Sequence, residues 1–279
     1  MGAVHIRTPK NFVLEERLER FADGWETHPQ HLRGRWAEAC APCGAVPFAR
    51  VHLDLGCGKG TYICERAQRE TDTLFIGLDQ EPLCIAYTAQ KVVEASVRNA
   101  LAVSRGADAL AQIFAPGEVG SMTLNFPTPC PKARHATQRL VHVDRLMTYR
   151  AVLAPDATLT LRTDSKPLRD YAISQFEAAG YRTLWTSDDV RTEHPEHPET
   201  EYERRTRAKG AVVYGICGEP DAEPTDEQLQ RGRDAERSLA AYLPDDLDSL
   251  DYVPLGMEEA VENFRNRRAK GKVGWPQNR

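Results

Sequence analysis

The sequence predicts an α/β chain built on a mostly parallel sheet with helices on both faces. Two observations predict it. The apolar run Val51-His52-Leu53 with Leu55 leads into a glycine-rich turn, and Thr61–Ala67 then follows with helix-like spacing. Downstream, short apolar strands alternate with helical segments as far as about residue 216.

Taken in order, the elements are these. Helical patches lie around Phe12–Phe21 and Leu32–Ala41, with Trp25, Trp36 and several basic residues among them. Strand one is Val51–Leu55, and strand two is Leu74–Leu78, ending at Asp79. Residues 83–95 have helical periodicity. Ala100–Val103 is a weaker third strand followed by Asp108, and Met122–Asn125 is the fourth. Gln138–Leu153 reads as a helix, Thr158–Thr163 as a strand and residues 167–179 as a helix. Tyr181–Trp185 and Ala211–Ile216 complete seven strands. No long helical pattern separates the last two, so they are expected to pair as an antiparallel edge hairpin.

The turn Asp54-Leu55-Gly56-Cys57-Gly58-Lys59-Gly60 carries the first chemistry. Glycines at every second position permit positive φ and close backbone approach to a ligand. A dinucleotide fold uses G-x-G-x-x-G with no acid before it. Here Asp54 precedes G-x-G-x-G. An anion at that point repels a pyrophosphate and suits the ammonium of an amino-acid moiety, which S-adenosylmethionine has. Asp79, roughly 20 residues past the glycines, can accept from ribose hydroxyls. Asp108 can accept from an adenine amino group. Either acid alone also serves as a loop carboxylate or helix cap. Asp54, Gly56, Gly58, Asp79 and Asp108 together read as a cofactor site.

The second constellation is Asn125-Phe126-Pro127-Thr128-Pro129-Cys130-Pro131-Lys132-Ala133-Arg134-His135. Its prolines stiffen an extended loop after strand four. Such a loop can hold a planar base while Lys132, Arg134, His135 and Arg139 meet phosphates. The alternative is a surface loop with solvated charges.

Composition bounds the rest. From Glu219 to Glu259 thirteen acids face three arginines, a net −10, which leaves the remainder at +5 within a chain total of −5. A mildly basic body suits a polyanionic partner. The acidic stretch reads equally as a solvated linker. A short helix at 257–269 and a basic end, with Arg265, Arg267, Arg268, Lys270 and Lys272, close the chain. Seven irregularly spaced cysteines fit reduced cytosolic thiols. Cys40-Ala41-Pro42-Cys43 is a lone C-x-x-C without the second pair of a zinc ribbon, and His194 and His197 sit among prolines and glutamates as in a solvated loop, so no metal is expected. No stretch of eighteen apolar residues and no apolar N-terminal core are present, which points to the cytoplasm and away from membranes.

The chain resembles the bacterial tRNA (guanine-N7)-methyltransferases from about residue 10 to 218. Four motifs carry the resemblance: Asp54–Gly60; Asn125–His135, similar to the family's F-x-D-P-W-x-K-x-R-H; Arg162-Thr163-Asp164; and Thr200-Glu201-Tyr202-Glu203. It implies a Rossmann-like class I S-adenosylmethionine-dependent methyltransferase acting on guanine N7 in tRNA, as a monomer or homodimer. By pattern and composition the chain divides into a helical segment at 1–50, a methyltransferase domain at 51–218 and an acidic linker with a basic tail at 219–279. The resemblance implies that Asp164 and Glu203 accept from the N1–H and N2 amino edge of guanine, with Thr200 shaping the loop that carries Glu203. Thr128 stands where the family has aspartate, the catalytic position that also borders the cofactor, and Cys130 stands for tryptophan. Guanine N7 has a lone pair and no proton to lose, so positioning supplies most of the catalysis and no general base is required. A methyltransferase for another RNA or a small molecule, and a silent RNA-binding paralogue, are the alternatives.

Overall fold

The computed structural model describes residues 10, 12–39, 47–247 and 250–271. It divides into two compact units, Met1–Asn125 with Thr148–Thr158, and Phe126–Met147 with Leu159–Arg279.

The first unit opens with α1 (Leu14–Arg20), a two-residue strand β1 (Trp25–Glu26) and α2 (Trp36–Ala39). Trp36 has no exposed surface, and its indole N–H donates to the Ile113 carbonyl at 2.7 Å. Next come β2 (Arg50–Leu55), α3 (Thr61–Arg69), β3 (Thr73–Asp79) and α4 (Pro82–Glu94). They are followed by β4 (Ala100–Ser104), α5 (Leu110–Ile113) and β5 (Val119–Asn125). Neighbouring strands β1–β4, β4–β3, β3–β2 and β2–β5 are all parallel. Strands covered on both faces read as continuous apolar runs rather than alternating ones, and β2, β3 and β4 are buried almost throughout. Gly77 brings α3 close to the sheet. A Cβ there would lie 2.9 Å from Cys57 Sγ and Ile63 Cδ1.

The second unit takes most of α6 (Val143–Arg150) and the later part of β6 (Leu153–Thr163). It continues through α7 (Lys166–Ala178), β7 (Tyr181–Ser187), α8 (Val190–Glu193), α9 (Glu201–Arg207) and β8 (Tyr214–Pro220). Two helices close the described chain, α10 (Asp226–Asp234) and α11 (Glu258–Ala269). Ser165 starts α7 by accepting from the Leu168 N–H at 3.3 Å. Strand β8 pairs antiparallel with both β6 and β7. The edge pair is therefore antiparallel as expected, joined through α8 and α9 rather than by a tight turn. The sheet order is β1-β4-β3-β2-β5-β6-β8-β7. It has eight strands where the sequence suggests seven; the extra one is β1, too short to leave a pattern.

Two segments differ from expectation. The helix read over Gln138–Leu153 forms only as α6, because residues 133–138 make a 3-10 turn and Arg139 leaves it in an extended conformation. The described residues after 219 form packed elements rather than a solvated linker. Thr225 and Gln228 cap α10 reciprocally. Leu239, Ala240, Leu247, Met257, Val261 and Phe264 are buried, while the acids between them mostly face water. Net charge therefore masked an apolar pattern.

The Cys40–Cys43 pair, the first nine residues and Lys272 lie outside the described residues. Among the described residues no group of three His, Cys, Asp or Glu side chains could hold a metal. No described helix is long and apolar enough to cross a membrane.

Gly232 sits where α10 meets Val143 and Ala178, and a Cβ there would lie 2.7 Å from Ala178 Cβ and 3.0 Å from Val143 Cβ. Gly232→Leu is expected to lower stability by about 1–3 kcal/mol through overpacking. Urea unfolding checks it; an unchanged midpoint would return the segment to a loose tail.

Candidate active site

The glycine turn of the first unit has the conformation its sequence demands. Gly56, Gly58 and Gly60 have φ of +80°, +55° and +73°. No atom lies within 4 Å of where a Cβ would stand on Gly56 or Gly58, so a ligand can approach this backbone directly. Gly60 is different: a Cβ would meet Thr88 Cγ2 at 2.6 Å, so this glycine serves packing.

Asp54 is buried at the end of β2. Its Oδ1 accepts from Thr123 Oγ1 and Asn125 Nδ2, both at 2.8 Å. Because a carboxylate only accepts, the Thr123 hydroxyl is committed as a donor. His52 Nε2 lies 3.2 Å from that same hydroxyl oxygen and so donates to it, which leaves His52 Nδ1 to accept from Ser121 Oγ at 2.7 Å. A chain of four side chains thus fixes the Asp54 carboxylate.

Asp79 ends β3, beside β2, and accepts from the Gly58 N–H at 3.0 Å and the Glu81 N–H at 2.9 Å. Burial pushes its carboxyl above the usual aspartate range, and these backbone donors oppose the shift. Asp108 lies exposed in a 3-10 turn after β4, the next strand in the sheet. The five expected cofactor residues thus gather at the carboxyl ends of adjacent parallel strands, where open α/β sheets bind ligands.

The second unit holds the proline-rich loop. Phe126 and Cys130 have φ of +51° and +49°, an uncommon conformation for residues with a Cβ. The Phe126 N–H donates to the Arg162 carbonyl at 2.7 Å, and Phe126 packs on Tyr202 with ring centroids 5.2 Å apart. Thr128 is exposed at the crest of the loop, and Cys130 is half-buried. Lys132 and Arg134 are exposed and His135 is half-buried; Arg134 Nε donates to His135 Nε2 at 3.2 Å.

Arg139 does not belong with these cations. It is fully buried, and its guanidinium donates to the carbonyls of Pro129, Cys130, Pro131 and Arg237. It builds the loop from beneath, and with no exposed surface it is not presented to a phosphate.

Glu203 is likewise displaced from its expected role. It has no exposed surface and lies between Arg162 at 2.5 Å and Arg191 at 2.8 Å. Thr200 caps α9 by accepting from the Glu203 N–H, and the Glu203 carboxylate returns to the Thr200 N–H. The T-x-x-E pattern of Thr200–Glu203 is a capping-box signature, so the helix and the inward turn of Glu203 had a readable signal. A carboxylate shared by two arginines and a cap does not face a base.

Asp164 follows β6 and is mostly buried. Its Oδ2 accepts from Tyr202 Oη at 2.9 Å and Tyr252 Oη at 2.6 Å. Neither tyrosine was singled out from sequence. Tyr202 lies inside a quoted motif, whereas Tyr252 lies in the acidic stretch with no local signal. His194, read as solvated, stacks on Trp185 at 3.9 Å.

A parallel sheet, a glycine turn open to a ligand and acids at successive strand ends define a methyltransferase-type α/β domain. The 16S rRNA methyltransferase KamB shares the fold, with a TM-score of 0.51 at 17% identity over 63% of this chain and 89% of that one. Residues 49–216 match the family model described as "Putative methyltransferase". The tRNA (guanine-N(7)-)-methyltransferase of Lactococcus lactis subsp. cremoris (strain MG1363) is 30% identical over 192 residues, 68% of this chain and 86% of that protein. Its counterpart in Streptococcus agalactiae serotype III (strain NEM316) is 29% identical over 213 residues, 76% of this chain and 98% of that protein. The chain belongs to the tRNA (guanine-N7)-methyltransferase family.

Glu203→Gln is expected to cost about 3–5 kcal/mol of stability, because it leaves the buried Arg162 and the half-buried Arg191 short of their counter-charge. Thermal melting and urea titration check it. Unchanged stability with lost turnover would restore Glu203 to the base site.

Proposed function

We propose that the chain transfers a methyl group from S-adenosylmethionine to N7 of a guanine in tRNA. The observation that carries this reading is the open backbone at Gly56 and Gly58 between the buried carboxylate of Asp54 and the half-buried one of Asp79. That donor set fits a cationic amino-acid moiety and a ribose, and it does not fit a pyrophosphate. When bound, the cofactor supplies an electrophilic methyl group on a sulfonium.

The protein's own groups orient and exclude. Asp54, held by Thr123 and Asn125, presents fixed negative charge to the ammonium. Asp79 accepts from ribose hydroxyls, and Asp108 from the adenine amino group. In the second unit Asp164 accepts from the N1–H edge of guanine, and this edge distinguishes guanine from adenine, whose N1 carries no proton. Lys132, Arg134 and His135 supply charge for phosphates beside the base. Thr128 stands at the crest of the loop, where it can hydrogen-bond but holds no charge; N7 needs no proton removed, so turnover does not depend on an acid there.

Incubation with labelled cofactor and fully unmodified tRNA, followed by mapping of N7-methylguanine, tests the reading. Product is expected from the wild-type chain, and Asp54→Ala is expected to abolish it through lost cofactor affinity. Methylation of a different RNA atom, or cofactor binding without transfer to any RNA, would overturn it.

A pH effect follows from Asp79. Ribose hydroxyls bond its ionised form, and burial raises its pKa. Affinity for S-adenosylhomocysteine is therefore expected to hold at neutral pH and to fall as pH drops through the window just above the usual aspartate range. The same raised pKa acts oppositely on folding: Asp79 favours the folded chain below the unfolded pKa, and that contribution is lost as pH rises through the folded one. Calorimetry on wild type and Asp79→Asn separates the effects, since the variant's affinity should lack this dependence.

A further inference from the structure

We propose that Tyr252, in the segment beyond the family match, is a positioning residue of the base site: with Tyr202 it fixes the Asp164 carboxylate by Oδ2 and leaves Oδ1 to accept from the guanine edge. The inference rests on the function proposed above, in which Asp164 meets the base.

The geometry is specific. Both phenol hydroxyls donate to one oxygen, Oδ2, at 2.9 and 2.6 Å. Among the described residues no hydrogen bond reaches Oδ1. A carboxylate on a short side chain turns readily about its last torsion. Two donors converging on one oxygen remove that freedom and aim the other oxygen. Burial and the neighbouring Asp164 both push the Tyr202 and Tyr252 hydroxyls well above the usual phenol range, so both stay protonated donors.

The two tyrosines are also held independently. Tyr202 rides on α9, whose first turn is fixed by the Thr200–Glu203 cap. Tyr252 is tethered from its far side. Met257 is fully buried, and Gly256 lies against Pro129, with the position of a Cβ 3.6 Å from the proline Cγ. Glu259 then reaches Lys132 at 2.9 Å, next to the proline loop. That pair is largely exposed, so packing at Gly256 and Met257 is the anchor and the ion pair a minor addition. The segment after residue 250 therefore touches both the base-facing carboxylate and the loop that carries the phosphate-facing cations.

The test measures methyl transfer to unmodified tRNA for wild type, Tyr252→Phe, Asp164→Asn and the double variant, with S-adenosylhomocysteine affinity and Tm for each. Tyr252→Phe is expected to lower kcat about tenfold, as one of two hydrogen bonds to a carboxylate is lost. Cofactor affinity and Tm should not move. In the Asp164→Asn background the same change should have no further effect, because the group being positioned is already gone. An equal loss in both backgrounds, or a lowered Tm that accounts for the loss, overturns the proposal and makes Tyr252 structural. A rise in kcat/KM also overturns it, and makes the segment a cover that competes with RNA. Failure of the underlying function is read separately: a wild-type chain that methylates no RNA removes both readings before any variant is compared.

Discussion

Arg139 carries a positive charge with none of its surface in water. Among the described residues no carboxylate pairs with it. Instead the carbonyl oxygens of Pro129, Cys130, Pro131 and Arg237 turn towards it, and the guanidinium lies 4.5 Å over the Tyr171 ring. Prolines at 127, 129 and 131 have no N–H to bond elsewhere, so the loop's ordering rests on its carbonyls. A buried arginine with a planar fork is suited to collecting them. The two left-handed residues, Phe126 and Cys130, are tolerated because this clamp and the Phe126–Arg162 backbone bond over-determine the loop.

Buried charge recurs through the second unit in another form. Arg162, Glu203 and Arg191 form an ion triad that fastens α9 against β6 and α8. Such groups give little net stability compared with apolar packing, but they do not tolerate the loss of one member. They therefore fix geometry more than they add free energy. Here the geometry they fix is that of Tyr202, and through it of Asp164. In the first unit the Asp54–Thr123–His52–Ser121 chain has the same logic with neutral donors.

Most of the fold was legible because its signals are local. Leu74–Leu78 and Ala100–Val103 are apolar on both faces, Val51, Leu53 and Leu55 alternate with His52 and Asp54, and Gly56, Gly58 and Gly60 announce positive φ. The placement of Asp54, Asp79 and Asp108 was legible for the same reason, since each directly ends or follows a strand. The substrate side was read less well. Arg139 and Glu203 sit among charged neighbours in sequence, and spacing cannot say which of them turns inward. Tyr252 comes close to Asp164 only through tertiary structure. The acidic stretch misled because charge was averaged over residues whose apolar members, Leu239, Met257 and Phe264, face the other way.

The reach of Arg139 across the sequence has a consequence for biosynthesis. One of its four carbonyl partners belongs to Arg237, 98 residues further on, and Leu239 donates to Pro131 nearby. A chain emerging from the ribosome can assemble β2 to β5 early, in the N-terminal-first order usual for larger proteins. The proline loop cannot set fully until Arg237 and Leu239 have emerged. A nascent chain that stops short of Arg237 therefore lacks one of the four carbonyls that hold the Arg139 cation, and a stop codon shortly after β8 would leave it so permanently.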